Sequence, residues 1–296
     1  MKIIPPLKVT PTELTSNVPI TETEWTAGTY ATGVERYVGT DVYEVVAIPD
    51  TTDEPVAGAA KEPPTWLRVG KINRFKMFSF VIGEATTVAS PLEVTVNFPF
   101  LINGVALFDL AATSVQVVVE DAVEGIVYDE TRQLADPIGI NNWFAFFYTP
   151  FALKSDAVFT DLPSFAAADV TVTVINTDGD VSVGEMIVGR IEDIGVTLQN
   201  FTFGIEDFSR KERDIFGNFT IIERRFAKVA NFDVFLENSD VNRVFGQLAK
   251  VRATPTVYIG AGDKPETVVV GFYKDFSILR TGPVTSEMTL EIEGLT

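Results

Sequence analysis

The chain contains no cysteine and no histidine among its 296 residues. The first absence rules out disulfide staples, thiolate nucleophiles and Cys-based metal sites. The second removes the side chain most used as a general base near neutral pH, and the commonest metal ligand. A Ser-His-Asp or Cys-His arrangement is therefore excluded within this chain. No apolar run approaches the roughly 18 residues a membrane-spanning helix needs, so no membrane span is expected. The N-terminal stretch MKIIPPLKVTPTEL has one early Lys and no continuous apolar segment, which reads as no signal peptide. Gly-rich phosphate loops and the GxSxG nucleophile elbow are missing as well.

What is present is acidic and apolar. Lys and Arg number 23 against 41 Asp and Glu, a net charge of -18, and 46% of residues are hydrophobic, with 23 Phe. Such a field repels phosphate backbones and anionic lipids, which argues against nucleic acid or a membrane surface as partner. The length allows two or three domains, each with its own core.

Residues 1–20 hold Pro5, Pro6, Pro11 and Pro19, which exclude a helix and favour extended geometry. They read as an extended arm or, alternatively, as a first edge strand with a frayed end. Residues 21–70 form a small aromatic unit with Trp25, Tyr30, Tyr37, Tyr43 and Trp66, and a hairpin turn at Gly39-Thr40-Asp41. Residues 71–190 read as a series of short strands: alternating Val94, Val96 and Phe98, then 115–119, 142–148 and 170–174, with turns at 121–125 and 177–180. That spacing predicts a β-sandwich, jelly-roll-like in type. Residues 191–296 carry strands at 201–205, 219–224, 229–236, 256–259 and 268–272. One helix is expected there, with Ser239 as its N-cap, Val241, Val244, Phe245 and Leu248 at helical spacing, and Pro255 beyond its end. The fold class is mainly β and multi-domain, ending in an α+β unit with one helix.

The candidate chemistry is thin. The carboxylates nearest in sequence are Glu206 with Asp207, Glu212 with Asp214, and Glu291 with Glu293. A glycosidase needs two carboxyls about 5 to 10 Å apart across a sugar cleft, and in so acidic a chain such pairs arise by accident. The turn 177–180 resembles a fragment of a calcium loop but lacks the register and terminal Glu of a full one; a β-turn explains it with fewer assumptions. The Asn-x-Thr sequons at Asn200 and Asn218 read as strand flanks. No catalytic residue, cofactor or metal site is assigned, and the chain is read as non-enzymatic.

Two groups remain as binding candidates. Trp25, Tyr30, Tyr43 and Trp66 offer flat apolar faces on which a host surface glycan can stack, or else they form the core of a unit too small to have another. Arg210, Lys211 and Arg213, with Arg224 and Arg225 nearby, form a basic cluster in an acidic chain. It reads as a subunit contact, where cations meet the acidic face of a neighbouring copy, or as a solvated loop.

Several motifs in order carry a resemblance. Glu24-Trp25-Thr26-Ala27-Gly28-Thr29-Tyr30, Tyr43-Glu44 and Pro63-Pro64-Thr65-Trp66-Leu67-Arg68-Val69-Gly70 are similar to the small carbohydrate-binding-like modules of tailed-bacteriophage tail proteins. Asn73-Arg74-Phe75-Lys76-Met77-Phe78 resembles the link to a jelly-roll domain in those proteins. The stretches 183–190, 207–211 and 252–255 resemble their C-terminal unit. Val34-Glu35 stands where such modules carry a Gly-Asp turn. The resemblance implies a tail-tip or baseplate subunit of the virion, made in the host cytoplasm. It would sit in a homo-oligomeric ring and join the tail tube or hub to peripheral fibres or receptor-binding subunits. The alternative it implies is a glycan-binding receptor-recognition protein.

Overall fold

A computed structural model describes residues 1–136, 142–148, 152–213, 216–261 and 264–295. The chain is mainly β, with 53% of residues in strands and 10% in helices. It divides into two compact units, one of residues 8–186 and one of residues 1–7 with 187–296.

The first unit holds the small aromatic module and a sandwich-like pair of sheets. In the module, Glu35–Val38, Asp41–Val45 and Trp66–Lys71 form a three-stranded sheet. Its first two strands close over Gly39, which takes φ +66°, a conformation that favours glycine. A five-stranded antiparallel sheet runs in the order Gly125–Gln133, Ser114–Asp121, Asp169–Ile175, Leu92–Asn97 and Leu14–Ser16. Its period-two alternation places Val94, Val96, Val115, Val117, Val170 and Val172 inside, as a sheet buried on one face requires. A four-stranded sheet follows the order Ala157–Phe159, Gly104–Ala111, Asp180–Gly189 and Thr86–Ala89. Between the two sheets, the guanidinium of Arg132 lies 4.0 Å over the ring of Phe159.

The second unit is built on a seven-stranded sheet. Its order is Glu192–Asp193, Lys2–Ile4, Thr256–Ile259, Val268–Arg280, Thr285–Gly294, Phe226–Glu237 and Val196–Asp207. Helix Val241–Val251 packs on this sheet through Val244, Leu248 and Val251, which share a cluster with Phe232, Tyr258, Met288 and Leu290. The strand Thr285–Gly294 is absent from the sequence reading although its pattern is clear. Met288, Leu290 and Ile292 are buried and alternate with Glu287, Glu291 and Glu293.

Four expectations differ from what forms. Residues 1–20 make no single arm: Lys2–Ile4 is an inner strand with Ile3 and Ile4 fully buried, and Leu14–Ser16 is an edge strand of another sheet. Apolar burial decides this, since a free arm would leave both isoleucines in water. The boundary set at 190/191 falls at 186/187, and the first seven residues belong with the C-terminal unit. The strand expected at 142–148 is a short helix, Trp143–Tyr148. Its aromatic residues do not alternate with polar ones, and Phe144 stacks on Tyr148 at 4.8 Å, an i,i+4 pair that only a helix brings together. Finally, the N-cap is Asp240 rather than Ser239, because Asn238 is engaged in closing the sheet end. Its side chain donates to the carbonyls of Gly282 and Pro283.

Candidate assembly surface

The strands Val196–Asp207 and Phe226–Glu237 form one long hairpin that continues past the sheet supporting it. The neighbouring strand Thr285–Gly294 pairs with the hairpin only as far as Val229. Beyond that point, among the described residues, the two hairpin strands find backbone pairing only with each other. Ile205 pairs there with Lys228 and Asp207 with Phe226, while the Phe203/Ala230 pair lies just inside the supported stretch, where Ala230 also pairs with Ile292. The pairing resumes at Arg210–Arg213 against Phe219–Ile222, and Gly217 at φ +89° lies in the tip. Between the two paired stretches, residues 208–209 face residues 223–225, which is a β-bulge. Ser209 holds it: its hydroxyl accepts from the Arg224 N–H at 3.0 Å, and its own N–H donates to the Asp207 carboxylate at 2.9 Å.

The faces of this arm are unequal. Residues directly opposite in an antiparallel pair share a face, so the Phe201/Phe232 pair starts a row that runs through Phe203 and Ile205 to Phe226. Phe232 is fully buried and Phe201 packs against the same core. Further out the row emerges: Phe203 is 60% exposed and Ile205 64%. Ring centroids of 6.1 Å from Phe232 to Phe201 and 6.3 Å from Phe201 to Phe203 mark the row's path out of the core. The row's face also carries Lys228 opposite Ile205 and Asp207 opposite Phe226, and the opposite face holds Glu206 and Thr202 beside a buried Ala227. Lys274 bridges Glu206 at 3.4 Å and Glu293 at 3.1 Å.

The structure places all five cations of the expected basic cluster on this arm. Arg210 pairs with Glu212, and Lys211 with Asp207 at 2.7 Å, holding the Asp207 carboxyl far below the usual range. Arg213 lies 4.4 Å over the ring of Phe219. The exposed guanidiniums of Arg224 and Arg225, at the bulge, have no partner among the described residues. The apolar row was missed in the sequence because its alternation is the signature of an ordinary half-buried strand; nothing local says that the covering layer ends.

The second candidate group lies elsewhere. Tyr30, Tyr43 and Trp66 belong to the module's core, with Trp66 fully buried. Trp66 donates from Nε1 to the Asp53 carbonyl at 3.0 Å and meets Tyr30 edge-on at 5.6 Å. Asp53 also accepts from Thr65 at 2.8 Å and pairs with Lys61 at 2.7 Å, and these partners lower its pKa. Rings turned inward cannot stack on a sugar, so of the two readings the sequence left open for these three, the core is the one that forms. Trp25 packs partly buried against the same cluster.

The carboxylate pairs do not assemble a cleft. Glu206 and Asp207 are held by different cations on successive strand positions, and Glu212 is held by Arg210. Asp214 lies outside the described residues. Glu291 and Glu293 sit on the solvent side of their strand. At the 177–180 turn, Asn176 donates to the Asp180 carbonyl and Gly179 takes φ +144°, the geometry of a turn. Among the described residues no group of three or more Asp and Glu is placed to hold a metal ion. One acid escaped the sequence reading. Glu185, in the apolar run 181–189, is 8% exposed, and its Oε2 has no hydrogen-bond partner among the described residues. Burial lifts its pKa to about 7, and the Asp109 carboxylate pushes the same way. A lone Glu inside a β-branched run was the signal for it.

No protein-family model, no curated protein and no solved structure matches the chain.

Proposed function

We propose that this chain is a structural subunit of a virion, at the tail tip or baseplate of a tailed bacteriophage, where it links the tail tube or hub to peripheral fibres or receptor-binding subunits. The observation that carries this reading is the projecting arm of residues 201–228, whose large apolar side chains lie exposed in the single chain. An apolar row that leaves a core and stays in water marks a surface built to be covered. The two β units and the ordered motifs at 24–30, 63–70, 73–78 and 207–211 support the same reading. It is a non-enzymatic role, a reading that rests on a sequence without cysteine or histidine.

The test is the composition of intact particles. Antibody raised against the chain should label one end of the tail, and quantitative mass spectrometry should find it at a fixed copy number. Its absence from purified particles would overturn the reading. The glycan-binding alternative loses its main support with the burial of Tyr30, Tyr43 and Trp66. Binding of host glycans by the intact chain, abolished by Trp25→Ala without unfolding, would restore it.

A further inference from the structure

We propose that the arm of residues 201–228 docks on a second copy of this chain, with the row Phe203, Ile205 and Phe226 as the apolar centre of the contact and Arg224 and Arg225 as its charged rim. Three observations select this occupant.

The first is charge. The arm, residues 201–228, carries six cations and five carboxylates, while the rest of the chain carries 17 cations and 36 carboxylates. The arm is thus locally positive on a body that is strongly negative. A second copy offers the complementary sign over most of its surface. Nucleic acid and anionic lipid would also attract the arm, but the body attached to it would repel both. Within the arm, Arg210 and Lys211 are already neutralised by Glu212 and Asp207. The guanidiniums left for a neighbour's carboxylates are those of Arg224 and Arg225 at the bulge.

The second is area. Phe203, Ile205, Phe219, Ile221, Ile222 and Phe226 are each between 45% and 65% exposed. Ile222 lies on the opposite strand face from Phe219 and Ile221. The other five, each about half covered already, offer on the order of a few hundred Å², a part of the roughly 800 Å² each partner contributes to a standard interface.

The third is continuity. The apolar row is the extension of the face that the unit's own core covers from Phe232 to Phe201. A neighbour that covers Phe203 and Ile205 continues this core across the boundary between copies. The Coulomb repulsion between two bodies of net -18 sets a threshold: association requires the arm, not merely proximity. The contact is heterologous, arm to body, so repetition generates a ring or a stack rather than a closed dimer.

The proposal stands on the arm and not on the tail-tip reading, so a chain found outside particles would remove that reading and leave self-association untouched. The test uses the full chain. Sedimentation velocity over a broad concentration range should show oligomers for the wild type. The Ile205→Asp, Phe226→Ser double variant should sediment as a monomer, with an unchanged circular dichroism spectrum and melting temperature, because both side chains are exposed. Arg224→Glu with Arg225→Glu should weaken association at least about tenfold, as close charge pairs across an interface do when reversed. The absence of cysteine allows one further readout. Thr220→Cys supplies a sole thiol on the arm, to which a photocrosslinker is attached. A mixture of light and heavy isotope-labelled chains then separates contacts between copies from contacts within one. Crosslinks between light and heavy chains to acidic segments are expected. A monomeric wild type, an arm variant that associates as the wild type does, crosslinks confined to one chain, or arm-dependent binding to duplex DNA or anionic vesicles in place of self-association would each overturn the proposal.

Discussion

The indole of Trp66 donates to the backbone carbonyl of Asp53 at 3.0 Å, so the module's largest core side chain is pinned by the loop that encloses it. The carboxylate of the same Asp53 holds Lys61 and Thr65. The ring is therefore a structural anchor, with its polar atom satisfied and its surface withdrawn from water.

Trp66→Ala should destabilise the protein by about 3–5 kcal/mol, the usual cost of emptying a large aromatic site. Gly58→Ala should act through the same ring, because a Cβ at Gly58 would meet Trp66 Cδ1 at 2.5 Å. Chemical denaturation checks both. A Trp66→Ala protein of unchanged stability would contradict the anchoring role.

Glu185 predicts a pH dependence. Its folded-state pKa is raised to about 7 from an ordinary 4.5, so between those values the folded chain binds more protons than the unfolded one. Stability then falls as pH rises through that window and levels off above it. The full change is about 3 kcal/mol, from roughly 1.4 kcal/mol per pKa unit. Glu185→Gln should remove this contribution. The stability difference between variant and wild type, measured by urea unfolding at pH 4 and pH 8, should favour the variant at the higher pH. An equal difference at both would refute the assignment.

Gly260 is a close-approach position in the seven-stranded unit. A Cβ there would fall 2.9 Å from Cζ of Phe232 and 3.0 Å from Cβ of Thr267. Gly260→Ala should cost about 1–3 kcal/mol through overpacking. Phe232→Leu in the same background should recover part of the loss, because the smaller side chain gives the methyl room; no recovery in the double variant would argue against the clash.

Single charge removals on the arm should leave the isolated chain's stability almost unchanged. Arg224→Ala or Arg225→Ala should shift it by less than about 0.5 kcal/mol, as is usual for exposed side chains. A melting temperature drop of several degrees in the dilute monomer would place these residues in the fold instead of at its contacts.

The strand pattern was legible because the physics behind it is local. Alternating side chains such as Val94/Val96 or Val170/Val172/Val174 state their own period, and Gly39 and Gly179 mark turns where the backbone needs φ values glycine adopts readily. The helix carrying Val244 and Leu248 was equally plain, although its cap moved by one residue when Asn238 was drawn into the sheet end. The aromatic run 143–148 misled because bulk and β propensity are shared by strands and short helices, and only the chain around it decides which forms.

The basic cluster was likewise visible as composition. Its placement on a projecting hairpin, and its junction with an apolar row, were not. By itself the sequence determined that the protein is mainly β, acidic, and without thiol or imidazole chemistry, because composition and period need no partner in space. Only the tertiary structure decided that Trp66 faces inward, that Ile3 and Ile4 join a sheet formed some 190 residues later, and that Phe203 and Ile205 do not share the cover given to Phe201. Each of these depends on which distant strand ends where, and a strand's own residues carry no record of its neighbour's length.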